Sequence, residues 1–129
     1  EDISLFATTT IYNIGLCNQL MGQMQGCTIT SLFHQRAQRV YELALHSVKA
    51  LPHNVNSSFS SVRALGVAIG NNLAALHADA GDGQALAGCV AIIQHYVSWH
   101  DGSTMDAITW VFANLWDWHS FHARHAAVA

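Results

Sequence analysis

Nine histidines are the residues of this 129-residue chain best equipped for chemistry. His119, His122 and His125 stand at three-residue steps near the C-terminus. On a helix, neighbours in that series share a face and can bind a common metal. His119 and His125 lie about 120° apart around such a helix, so one ion does not take all three. No glutamate stands nearby to build the carboxylate-rich di-iron pattern of helical bundles, and there is no HExxH. Surface histidines are the favoured reading, and no metal or cofactor is expected. Ser57, Ser58, Ser60 and Ser61 are cap or loop serines without an elbow motif. No carboxylate pair is spaced for acid–base work, and Gly81-Asp82-Gly83 is too short to cradle a phosphate. Cys17, Cys27 and Cys89 lack metal-ligand spacing, and their odd number fits reduced thiols or one intermolecular bridge. An enzyme is not expected.

Composition points instead to association. Hydrophobic residues make up 51% of the chain and charged residues only 10%, against about 25% charged in ordinary soluble domains. So few charges leave apolar surface exposed, and exposed apolar patches mark partner sites. A net charge of −3 argues against nucleic acid as a partner. Arg36, Arg39, Lys49 and Arg63 form a basic stretch that can steer an acidic peptide, whereas the later half is acidic. Glu1-Asp2-Ile3-Ser4 lacks the basic start of a signal peptide, so an intracellular, cytoplasmic location is expected. The membrane, at the mitochondrial surface, enters only if a C-terminal anchor has been removed.

The elements that position these residues read as helices throughout, in one domain spanning residues 1–129. The expected fold is all-α, a bundle of five to seven helices around an apolar central helix. The first helix is expected from Ile3 to Met24, stopped by Gly26. In the second, Ile29, Leu32, Phe33, Ala37, Val40, Leu43, Ala44, Val48 and Leu51 recur at helical spacing, and Pro52 ends it. A third starts near Ser57 or Ser58, with Gly66 and Gly70 one turn apart and Asn71-Asn72 as an interruption. Residues 85–99 carry no charge and are expected to form the buried axis, with Ile92 in its core. At about 22 Å this stretch is too short to cross a bilayer. A fifth helix, opened by the capping box Ser103-Thr104-Met105-Asp106, carries Ile108, Val111, Phe112, Leu115 and Trp118.

Two segments carry a family resemblance. Trp110-Val111-Phe112-Ala113-Asn114-Leu115-Trp116, with Phe121 beyond it, resembles the C-terminal signature of the B-cell lymphoma-2 family of apoptosis regulators, without that signature's glycine pair. Arg63-Ala64-Leu65-Gly66-Val67-Ala68-Ile69-Gly70 is similar to the family's arginine-led apolar run, with Phe59-Ser60-Ser61-Val62 where Asn-Trp-Gly should precede it. A second register, Asp82-Gly83 to Ile93, places the same motif on 85–99 and lacks the arginine; the two stay open. A divergent viral member would show this degeneracy. The resemblance implies a hydrophobic groove that captures an amphipathic helix of a pro-apoptotic protein and so blocks cell death. Arg63 would answer the ligand's aspartate, with Arg39 the next candidate. Val40, Leu43, Ala44, Leu65 and Ile69 would wall the groove, joined by Trp110 and Asn114.

Two alternatives stand beside it. His77 after Leu76, with His46 about thirty residues earlier, resembles the histidine pair of a globin and implies a haem- or metal-binding helical protein. A self-assembling structural helical domain would explain the small residues and the odd cysteine. Exposed apolar surface also suggests a homodimer, formed through the groove itself.

Overall fold

The computed structural model describes residues 3–26, 32–51 and 58–97, and these fold into four α-helices without a strand. They are α1 (Ile3–Met24), α2 (Leu32–Ala50), α3 (Ser58–Ala80) and α4 (Gly83–Val97). Four helices among the described residues fall short of the five to seven expected. The fifth expected helix lies outside the described residues.

The helices form two hairpins. The α1–α2 and α3–α4 interfaces are the most extensive, α2–α3 joins the hairpins, and α1 touches α3 only lightly. Each end is set by local chemistry. Gly26 and Gly81 take left-handed backbone (φ 61° and 68°), which releases α1 and α3 from helical geometry. At the second of these, Gly81 N–H donates to the Ala78 carbonyl and Asp82 N–H to the His77 carbonyl. Asp82 then caps α4, its Oδ1 accepting from Ala85 N–H at 3.0 Å. The β-branched run in α1 is reconciled with a helix because Thr8, Thr9 and Thr10 hydroxyls donate to the Ser4, Leu5 and Phe6 carbonyls one turn back.

The expected buried axis moves by one helix. α4 buries only Cys89, Ile93 and Tyr96, a narrow stripe, and leaves Val90 40% exposed. Ile92 is half-buried, and its neighbour Ile93 is the core residue. The charge-free run misleads because absence of charge is not depth, and its small residues can face water at little cost. Ala87, Gly88 and Ala91 lie exposed and present little apolar area to water. α3 takes the central place: Val62, Leu65, Val67, Ile69, Leu73, Ala74 and Leu76 are all buried. Asn71 and Asn72 do not interrupt it.

Glycines let the helices of each hairpin approach. A Cβ on Gly66 would stand 2.6 Å from the Tyr96 ring, and one on Gly70 would stand 2.9 Å from Ile93 Cγ1. In the other hairpin a Cβ on Gly15 would stand 2.7 Å from the Tyr41 ring. No helix among the described residues is long and apolar enough to cross a membrane.

Two glycines of the α3–α4 hairpin should respond oppositely to alanine. Gly88→Ala adds a methyl into open space and should stabilise by about 0.5–1 kcal/mol through helix propensity. Gly66→Ala gains the same propensity, but overpacking against Tyr96 costs about 1–3 kcal/mol. Urea unfolding of the two variants should therefore shift its midpoint up for the first and down for the second.

Candidate functional site

The residues expected to form a groove differ in depth. Ala44, Leu65 and Ile69 are core residues, Val40 is half-buried, and Leu43 projects from α2 at 53% exposure. Trp110 and Asn114 lie outside the described residues, as do His119, His122 and His125. Arg39 is exposed on α2. His46 is exposed on α2, and His77 is half-buried in the last turn of α3. Among the described residues no three histidine, cysteine or acidic side chains cluster to hold a metal.

Arg63 is the clearest departure. A solvent-facing side chain is expected from its place near the start of α3, yet it is 2% exposed. Its Nε donates to the Tyr96 carbonyl at 2.7 Å and its Nη2 to the Val97 carbonyl at 3.1 Å. These carbonyls end α4 and have no partner within that helix. A guanidinium there also meets the negative end of the helix dipole. Arg63 is thus a cap, delivered by one helix to the end of the next, and in this position it holds the fold.

An open cleft of about 370 Å³ lies where α2 and α4 face each other. Its lining is Lys49 from α2 and Ala91, Ile92, His95 and Tyr96 from α4. The floor is apolar, the His95 and Tyr96 rings meet edge-to-face at 5.2 Å, and Lys49 supplies a cation. Nearby, burial raises the Cys89 thiol above its ordinary value, and the Glu42 carboxylate on α2 raises it further. Cys89 therefore stays protonated and behaves as a small core residue. The sequence signals this cleft only through the basic excess around Lys49.

A second constellation lies between the hairpins. The Tyr41 hydroxyl donates to Gln19 Oε1 at 2.7 Å and accepts from Asn72 Nδ2 at 3.0 Å. The same Asn72 amide donates to the Tyr12 hydroxyl at 3.2 Å, and the two tyrosine rings lie 5.8 Å apart. Asn71 donates to Asn72 Oδ1 at 3.3 Å, while its own Oδ1 is buried without a hydrogen-bond partner. Burial raises both phenols, Tyr41 strongly, against a smaller lowering by the Asn72 hydrogen bond. They are neutral hydrogen-bonding groups at any working pH. The signal was present in α2, where Tyr41 sits on the apolar stripe between Ala37 and Ala44.

Comparison with protein-family models, curated proteins and solved structures gave no match.

Two measurements check these assignments. Removing the charged donor in Arg63→Ala should cost about 1.5–3 kcal/mol in chemical denaturation. Arg63→Lys should recover only part of that, because an ammonium lacks the guanidinium fork that reaches two carbonyls. The phenols bind their protons more tightly folded than unfolded, where the ordinary value is 10.0. Their contribution is complete below that pH and is lost as pH rises above it. A tyrosine-to-phenylalanine change at position 41 should flatten this alkaline loss in a pH series of thermal melts.

Proposed function

We propose that this chain is an intracellular helix-capturing protein that restrains cell death by sequestering an amphipathic helix of a pro-apoptotic protein. The observation that carries this reading is the α2–α4 cleft, whose floor of Ala91, Ile92 and Tyr96 carries a cation, Lys49. An amphipathic helix needs those two features, an apolar bed for its stripe and a fixed charge for its acidic residue. The burial of α3 supports the register that starts at Arg63, since the B-cell lymphoma-2 plan has one apolar helix at its centre. Within this reading the charge that answers the ligand's aspartate moves from Arg63, which is committed to the end of α4, to Lys49. Arg36 and Arg39, exposed on the same helix as Lys49, add long-range attraction for an acidic ligand.

Calorimetric titration with a panel of synthetic pro-apoptotic helices tests it. Binding should weaken at least tenfold, about 1.4 kcal/mol, in Lys49→Glu. Ile92→Asp should abolish binding while the far-ultraviolet dichroism stays helical, because Ile92 is only half-buried. No binding to any helix of the panel ends the proposal. Binding that ignores both substitutions removes the cleft from it.

A further inference from the structure

α1 leaves much of its apolar surface uncovered. Its fully buried residues are Thr8, Gly15, Gln19 and Gly22, and Leu5, Ile11 and Tyr12 pack against the core while only partly buried. The side it turns outward carries six more large apolar residues. Ile3 and Met24 are more than 80% exposed and Phe6 is 70% exposed, and Ile14, Leu20 and Met21 are also exposed. No Asp, Glu, Lys, Arg or His occurs anywhere from Ile3 to Met24. The exposed face is therefore unbroken by charge over 22 residues, or about 33 Å.

The spacing on that face identifies its partner. Ile3, Phe6, Thr10, Asn13, Cys17, Leu20 and Met24 follow one another at alternating steps of three and four. Such a seam drifts little around a helix, and its large apolar members stand at the two ends with Thr10, Asn13 and Cys17 between them. The seam carries no charge, so two copies of the same patch can meet without like-charge repulsion, as a two-fold interface requires. Six of the nine large exposed hydrophobic side chains among the described residues lie on α1, and an interface of standard size draws on about 800 Å² per partner. A membrane is a poorer fit, since helices that lie on bilayers carry Lys and Arg along the polar face, and α1 has neither.

We propose that the outward face of α1 is a homodimer interface, occupied by α1 of a second copy about a two-fold axis. It is separate from the α2–α4 cleft, so dimerisation and helix capture do not compete, and the inference stands whether or not the cleft binds a helix. Cys17, exposed in the centre of the seam, reports on it directly. Sedimentation equilibrium of the whole chain under reducing conditions should give the dimer mass. Phe6→Glu with Leu20→Glu should give the monomer mass with unchanged helical dichroism, since both side chains are exposed. Met24→Glu alone should weaken the dimer at least tenfold and guards against misfolding of the double variant. Alkylation of Cys17, located by peptide mass spectrometry, should slow as wild-type concentration rises and should stay fast in the double variant. A monomer at every concentration overturns the proposal, and so does a dimer that survives the substitutions. Co-flotation of monomeric wild type with phosphatidylcholine vesicles, lost in the double variant, would overturn it in favour of a lipid surface.

Discussion

Tyr41 is the contact on which the arrangement of the two hairpins rests. Its ring fills the notch at Gly15, which fixes how closely α1 lies on α2. Its hydroxyl reaches Gln19 on α1 and Asn72 on α3 in the same stroke. A fully buried phenol has to find partners, because a lone polar group in the core costs about 1–3 kcal/mol. Here those partners stand on two other helices, so satisfying one hydroxyl fixes the register of three helices at once. An apolar residue at this position would fill the volume and leave the sliding of α1 against α2 and α3 undetermined.

The burial of apolar area is shared unequally across this frame. α3 carries the largest share of it, and covering each of its large aliphatic side chains contributes about 1.5–3 kcal/mol. α1 adds no fully buried hydrophobic residue; it is held by the partly buried Leu5, Ile11 and Tyr12, by close backbone approach, and by hydrogen bonds that each contribute only about 0.5–1.5 kcal/mol. Chemistry follows the same division. The phenols and the Cys89 thiol are kept protonated in the interior, and Lys49 lines the α2–α4 cleft.

Helix boundaries were largely legible because they rest on local signals. Gly26, Gly81 and Asp82 act through their own backbone and side chains, and the bounds of α1 fall where its apolar pattern begins and ends. Depth of burial was not legible in the same way. Absence of charge over 85–99 suggested a core helix, but small residues are indifferent to exposure, and α4 buries only a narrow stripe of that run. α3, with its two asparagines and an arginine, looked less apolar and proved to be central. Arg63 shows why: its charge is answered by carbonyls more than thirty residues away, a pairing that no local spacing announces. The cleft was equally hidden, since Lys49 and Ile92 belong to different hairpins and meet only through packing.

Asp82 closes the carbonyl end of α3 with its backbone amide and opens α4 with its carboxylate. One residue thus serves as the end of one helix and the beginning of the next. The α3–α4 hairpin therefore closes almost without a loop, and loop closure is the entropic toll that slows the meeting of distant segments. Its contacts of Gly66 with Tyr96 and Gly70 with Ile93 are brought together by that one turn. Of the described helix pairs, this one is joined by the tightest connection.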